Sequence, residues 1–555
     1  DPFNVGEGSS FSASSSNPAG SRLRGPVIKK ELIETDLEEA LETIRTNHFS
    51  GPNLKPQALT DAAITSMLKV LDPHSNYYGP AEFQELLGEH ESEYSGTGSS
   101  IAGFERDGRI DTFVISTFPG SPAAKAGLRF GDRIIAVNGQ NVTGKSPDVI
   151  RDLVRGKKGS VARMTIERAD NGVFEIVEMK RDRVHEPAVP QGFLLKSNVG
   201  YIDLSNGFSN ATFNELETAF ADLQRQGMTS LVLDIRGNGG GILEQAIKVA
   251  EKFLPAGSTI VSQQGRYSDD TRTWKAGRPK YESLPLVIVV DENTASASEV
   301  LAGALQDNDR ALIVGEKTFG KGLVQSVLNL PDGAGLTLTA ARYFTPTGRS
   351  IQRNYADLGL YDYYHHRQPV EISTSVFAAK TLTDRVVYGG DGIKPDAPAS
   401  SRLFSDDKMR LLDPIFFFAL DRLNRDQGKG DRQNSVAVYR QKIIFGEPII
   451  DDSIIREFGT FVAENPSWAK LIPTLAREDA FVRAMLRYYL AMGSFGVSAA
   501  NRAKIDADPQ IAQAIALLPR SATLAAAAQK ARLLPKKQKS SLSLVLSEQG
   551  RNRRN

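Results

Sequence analysis

An α/β fold is predicted for the middle of this chain by three features read from residue 199 onward: apolar runs, amphipathic stretches between them, and glycine-rich turns where the two meet. Val199, Gly200, Tyr201, Ile202 and Leu204 form the first run, and an amphipathic helix is predicted over 212–225, opened by Thr212 and Glu215 as a capping box. Leu231, Val232, Leu233 and Ile235 read as a strand buried on both faces, because a parallel strand covered by helices loses the polar half of its alternation. A helix follows over 242–254, with Leu243, Ala246, Ile247, Ala250, Phe253 and Leu254 on one side. Strand 285–290, helix 295–306 and strand 311–314 continue the same order.

Around this core the pattern changes. Residues 1–27 are rich in Ser and Gly, carry too little apolar surface to order, and are expected to be a disordered leader. The start at Asp1 without Met reads as a processed or trimmed product in which a signal peptide would already be gone, or equally as an arbitrary boundary of the sequence. Over 28–90, Leu32, Leu37, Ala40, Leu41 and Ile44 recur at helical spacing and predict a small helical region. Residues 91–183 switch to short alternating strands with Gly-rich turns, a mostly β module. The α/β core is expected over 184–400, and a helical extension over 401–530, with helices at 409–423, 454–463 and 481–492. A basic flexible tail is expected over 531–555.

Composition excludes several chemistries. The chain of 555 residues holds 67 basic and 66 acidic residues, a formal net charge of +1, so no global field draws it to nucleic acid or to an anionic membrane. Cysteine is absent, which removes thiol catalysis, disulfides and Cys-ligated zinc. No run of 18 or more apolar residues occurs, so no transmembrane segment is expected. The six histidines lie in separate segments apart from His365 and His366, and neither a metal nor a cofactor is expected.

The chemistry is carried by two serine- and lysine-bearing segments. Ser296 lies in Asn293-Thr294-Ala295-Ser296-Ala297-Ser298-Glu299, and Lys321 lies between Gly320 and Gly322, with no His or Cys near either. A serine hydroxyl is a weak nucleophile and needs a base. A lysine desolvated by apolar neighbours such as Phe319, Leu323 and Val324 loses its proton more easily and can serve as one. The alternative is ordinary helix-start chemistry, with Asn293 or Thr294 as the cap. The loop Arg236-Gly237-Asn238-Gly239-Gly240-Gly241, between a strand and a helix, can aim backbone N–H groups at an anion or can be a plain tight turn. Residues 315–321 fit the GxxxxGK half of a nucleotide-binding loop. Gly322 follows in place of Ser or Thr, however, and 323–328 alternates as a strand where that loop needs a helix. Leu71-Asp72-Pro73-His74-Ser75 reads first as a turn.

Taken together these segments resemble known families. The string SPAAKAGLRFGDRIIAVNG at 121–139 is similar to PDZ domains, with Gly96, Thr97, Gly98 and Ser99 in the place of the loop that takes a peptide's terminal carboxylate. DIRGNGGG at 234–241, TASASEVLAGALQDN at 294–308, GEKTFGKGLVQS at 315–326, RYFTPTGRSIQ at 342–352 and GGDGIKPD at 389–396 resemble the carboxyl-terminal processing peptidases, as does LDPHSNYY at 71–78. That resemblance implies an α/β protease core of the ClpP/crotonase type with an inserted PDZ domain. It also implies a Ser296 nucleophile, a Lys321 general base positioned by Gln325, and an oxyanion hole from backbone N–H groups of Ala297 and of Gly241 or Gly240. Arg155 is the candidate for a PDZ residue that senses bound substrate. The implied partners are proteins or peptides with accessible C-termini, the implied location is periplasmic or otherwise extracytoplasmic, and the extension after residue 400 is a candidate for homo-oligomer or adaptor contacts. A catalytically silent peptide-binding scaffold on the same fold is the alternative.

Overall fold

The protein is described by a computed structural model covering residues 30–90, 93–355, 378–400, 405–424 and 450–533. The expected leader, the histidine pair at His365 and His366, and nearly all of the basic tail lie outside the described residues. Contacts divide the chain into two units, one ending at Val70 and one beginning at Leu71. The first holds the helices Lys30–Asn47 and Pro56–Lys69 joined by a short turn. Leu71 to His90, grouped with these helices in the sequence reading, belongs to the second unit.

The large unit is built on a six-stranded sheet in the order Gln191–Leu194, Val199–Asp203, Ser230–Asp234, Leu286–Val290, Leu312–Gly315, Ala397–Pro398. All pairs but the first are parallel. Alternate residues of each strand enter two separate cores, which explains the unbroken apolar runs. Leu231, Leu233, Leu286, Ile288 and Ile313 face the helices Thr212–Arg225, Leu243–Glu251 and Ala297–Asp307. Val232, Val287, Val289, Leu312 and Val314 face Ile511, Ala514 and Leu518 of the helix Pro509–Leu533. That last helix has the length and hydropathy to cross a membrane. Here its apolar side covers one face of the sheet, and each fully buried Leu or Val there contributes about 1.5–3 kcal/mol.

A second sheet joins Asn76–Tyr78, Gly335–Phe344, Thr259–Gly265 and Arg272–Lys275, with Leu323–Asn329 paired to Gly335–Phe344. The strand at Leu323–Asn329 leaves no helix after Lys321, as the alternation predicted. The PDZ-like module closes around Ser99–Arg106, Arg109–Thr117, Arg133–Val137, Val161–Glu167 and Phe174–Lys180, with the helix Pro147–Val154 beside the edge strand Ser99–Arg106.

The helices after residue 400 pack on this module. Phe104 stacks on Phe416 with ring centroids 3.7 Å apart, and Phe113, Phe130 and Tyr489 complete the cluster. Asp413 accepts the Glu105 N–H at the module's edge strand, 2.9 Å away. The C-terminal region therefore holds the PDZ-like module at one end and the parallel sheet at the other.

One local expectation is corrected. Thr212 is the first helical residue and Ala211 the N-cap, without a side-chain cap. The Thr212 hydroxyl accepts from Ser209 N at 2.9 Å, and Glu215 turns to Val189 N at 2.9 Å and to His185. Thr212 is thereby taken by the preceding turn and Glu215 by a separate chain segment, which leaves neither side chain for the capping box.

Candidate active site

Ser296 sits where the buried strand Leu286–Val290 turns into the helix Ala297–Asp307, at φ 59° and ψ −119°. This backbone is unfavourable for a residue with a Cβ and costs about 1–3 kcal/mol, so neighbouring bonds must impose it. They do. Ser296 N donates to Glu299 Oε2 at 2.9 Å, while Ala295 N donates to Asn238 O at 2.9 Å. Asn238, fully buried, accepts Ser298 Oγ at 2.6 Å and Gly240 N at 2.9 Å on its amide oxygen and donates to Leu204 O. The glycine loop and the Ser296 turn are thus one hydrogen-bonded unit.

Glycine is required where the loop meets the turn. A Cβ on Gly240 (φ 106°) would stand 2.7 Å from Ser296 Cβ and 3.1 Å from Ala297 N, and one on Gly241 (φ 123°) would stand 2.3 Å from Phe208 O. The Gly240 N–H is spent on Asn238, so Gly240 contributes close approach and no free donor. The N–H groups of Ala297 and Gly241 donate to no acceptor among the described residues. Arg236, at the start of the loop, is held by Asp234 at 2.6 Å and by Asp508 at 2.7 Å and Gln510 at 2.6 Å from the C-terminal region.

Lys321 is brought to the same place by Glu299. That fully buried carboxylate accepts Ser296 N on Oε2 together with Lys321 N at 2.8 Å, and Gly320 N at 2.8 Å and Thr318 Oγ1 at 2.5 Å on Oε1. One side chain therefore fixes the backbones of both segments that the sequence singled out. Burial raises the Glu299 carboxyl above its ordinary range, and the surrounding hydrogen bonds oppose that rise. A proton on either oxygen would meet only donors, so the ionised form fits the cage. Phe319 N, donating to Thr294 O at 2.9 Å, adds a second tie.

Desolvation lowers the Lys321 pKa from its ordinary value, while the Glu299 and Asp72 charges pull the other way. His74 is pushed down to about 4, chiefly by burial and secondarily by Lys321, so it is neutral near pH 7. Gln325 donates from Nε2 to Thr339 Oγ1 at 2.7 Å, and its Oε1 is buried without a partner among the described residues.

Three contributors escaped the sequence reading. Glu299 drew no reading of its own, although its place three residues after Ser296 was a signal for reciprocal capping. Asp72 and Ser75, read as a turn, are buried against the strand carrying Thr339. In the PDZ-like module, Gly98 (φ 74°) and buried Thr97 are pinned through Ser121 Oγ to Gly98 O at 3.0 Å and Ala123 N to Thr97 O at 2.8 Å, and Ser99 opens the edge strand. Gly96 ends the short strand Glu93–Gly96, and Arg155 lies exposed after the helix Pro147–Val154.

Comparison with known proteins places this geometry in a family. Residues 198–358 match peptidase family S41, and residues 118–168 match the PDZ domain. The carboxy-terminal-processing protease of Bartonella bacilliformis is 36% identical over 321 residues, covering 57% of this chain and 71% of that protein. The chain belongs to peptidase family S41. The carboxyl-terminal-processing protease of Picosynechococcus is 38% identical over 316 residues, with 56% and 74% covered. Among solved structures, a photosystem II D1 C-terminal processing protease is 29% identical, covering 68% of this chain and 95% of that one, with a TM-score of 0.36. This S41 peptidase is thus a serine-type protease carrying a PDZ domain, and it binds peptide or protein substrates.

Proposed function

We propose that this S41 peptidase is an endopeptidase that captures protein C-terminal tails on its PDZ domain and cleaves peptide bonds with a Ser296–Lys321 dyad. The observation that carries the reading is the Glu299 carboxylate, which accepts from the backbone N–H of both residues inside a site where burial depresses the Lys321 pKa.

The edge strand Ser99–Arg106 has main-chain groups on its outer side to which a tail can add as a further strand, with its carboxylate toward the loop at Gly96, Thr97, Gly98 and Ser99. Neutral Lys321 Nζ takes the Ser296 Oγ proton as Oγ bonds to the substrate carbonyl carbon. The resulting oxyanion is met by the unengaged N–H groups of Ala297 and Gly241, where losing one donor typically costs about 10²–10³ in rate. The C–N bond breaks, Lys321 returns the proton to the leaving amine, and an ester on Ser296 remains. Water then attacks that ester, again passing its proton to Lys321, which returns it to Ser296 Oγ as the acyl C–O bond breaks and the acid product leaves. Gln325 holds the amine in place, and Arg155 is the proposed sensor of a docked tail. An extracytoplasmic site of action and contacts of the C-terminal helices with another copy or an adaptor rest on family resemblance.

Incubating the protein with peptides of free and amidated C-terminus, and reading fragments by mass spectrometry, tests this. Cleavage that prefers free C-termini and disappears in Ser296→Ala and Lys321→Ala is expected. Equal cleavage by all three proteins refutes the dyad, and binding without cleavage by the wild type favours the silent scaffold.

A further inference from the structure

The segment at Asp72 to Ser75 is far from Lys321 in sequence, and the strand following it brings it to the site. Asn76 pairs with Thr337 in the second sheet, so Ser75 comes to lie against Thr339, and Thr339 stands directly across from Gln325. All the links are short. Ser75 Oγ donates to Asp72 Oδ2 at 2.8 Å, and Asp72 Oδ1 accepts the N–H groups of His74 and Ser75, each at 2.8 Å. Thr339 N donates to Ser75 Oγ at 3.1 Å, and the two hydroxyl oxygens lie 3.5 Å apart. Gln325 Nε2 then donates to Thr339 Oγ1 at 2.7 Å.

The donors in this chain all point one way. Asp72 as a carboxylate has only acceptors, so the Ser75 proton must face it. Ser75 Oγ thereby accepts the backbone N–H of Thr339, which fixes the place of that residue, and Thr339 Oγ1 accepts from the amide of Gln325. An amide held by its nitrogen presents its oxygen on the opposite side. That oxygen is the buried Oε1 without a partner among the described residues.

We propose that Asp72, Ser75 and Thr339 are positioning residues that fix the orientation of the Gln325 amide, so that its Oε1 accepts an N–H of Lys321 and leaves the amine lone pair for the Ser296 proton. The inference rests on the Ser–Lys reading above. An amide turned the other way would direct N–H groups at Lys321, occupy the amine lone pair needed for the Ser296 proton and repel the ammonium form. The charged and titratable groups around Lys321 are Glu299 from the nucleophile helix, Asp72 and His74 from this segment, and Arg353 beside His74.

The test compares Thr339→Val, Thr339→Ser, Ser75→Ala and Lys321→Ala with wild type for kcat, KM and the pH profile of kcat. Thermal melting confirms that each variant is folded. Thr339→Val is expected to lower kcat about 10- to 100-fold, the scale of small misplacements of catalytic groups, with KM little changed. It is also expected to move the acid limb of the profile to lower pH, because the ammonium loses an acceptor. Ser75→Ala shifts both in the same direction, and Thr339→Ser, which keeps the hydroxyl, restores both toward wild type. Folded Thr339→Val and Ser75→Ala proteins with wild-type kcat and an unmoved acid limb, beside an inactive Lys321→Ala, overturn the positioning role and leave the dyad standing. Full activity in Lys321→Ala removes the dyad itself, and this inference with it.

Discussion

Replacing Glu299 by Gln removes one of the two acceptors that hold the Ser296 and Lys321 segments together. The side chain keeps its size, but one oxygen becomes an NH2 group. Either Ser296 N and Lys321 N, or Gly320 N and Thr318 Oγ1, then faces a donor. Hydrogen bonds to a charged group are worth about 1.5–3 kcal/mol each, so two lost bonds amount to roughly 3–6 kcal/mol. Relief from burying a charge offsets part of this, leaving about 2–4 kcal/mol of destabilisation. Activity should fall further than stability suggests, because nothing else described ties Ser296 N while the residue holds φ 59°. Relaxation of that backbone swings Oγ away from its attack position, a displacement worth about 10²-fold in kcat. The assay pairs thermal unfolding with steady-state cleavage of a fluorogenic peptide at a temperature where the variant stays folded. Glu299→Asp, with the charge kept but withdrawn by one methylene, should be intermediate. A Glu299→Gln protein with wild-type kcat and melting temperature would show that the carboxylate organises neither segment.

Other outcomes follow from the same geometry. Because burial depresses the Lys321 pKa and the proposed base is its neutral form, kcat should rise with pH through that depressed value and level off below the ordinary lysine range, which a rate profile from acid to alkaline pH checks. Gly240→Ala should abolish cleavage while the PDZ domain still binds tail peptides, read by calorimetry, since the new Cβ strikes Ser296 Cβ. Asp508→Ala removes one anchor of Arg236 but leaves Asp234, costing roughly 1–3 kcal/mol in unfolding free energy and lowering kcat through the loop that begins at Arg236. Asp413, partly buried beside Glu105, has its carboxyl raised to about 6. An acid with a raised folded pKa adds stability below its unfolded value and loses it as pH climbs through the folded one. Asp413→Asn should therefore stabilise the protein by about 1 kcal/mol at pH 7.5, discounted for solvent screening, and by nothing at pH 3.5, as measured by denaturant titration.

The legible parts of this fold were those written in local pattern. Leu231 to Ile235 and Leu286 to Val290 announced two-sided burial because each alternate residue enters a different core, and helices of regular period fell where spacing put them. Ser296, Lys321 and the glycine loop stood out in sequence, but spacing alone left ordinary helix-start and tight-turn readings open, and it was the family resemblance of their motifs that assigned them roles. The second sheet was harder, since Thr259–Gly265 and Gly335–Phe344 carry polar residues on an open face. Ser75 and Thr339 were not legible as partners, because 264 residues separate them and only strand pairing reveals the contact. The docking of the C-terminal helices on the PDZ-like module was equally hidden. Phe104 and Phe416 each look like an ordinary core residue of its own domain until they stack.

The most direct test of the central claim is the pre-steady-state rate of acylation by a slow peptide ester, followed by intact-protein mass and peptide mapping, in wild type and in Lys321→Ala across pH. The account predicts a single acyl adduct on Ser296 whose rate rises with pH in the wild type, and no adduct in Lys321→Ala at any pH in the range. An adduct on another residue, or acylation of Ser296 at the wild-type rate without Lys321, would contradict it.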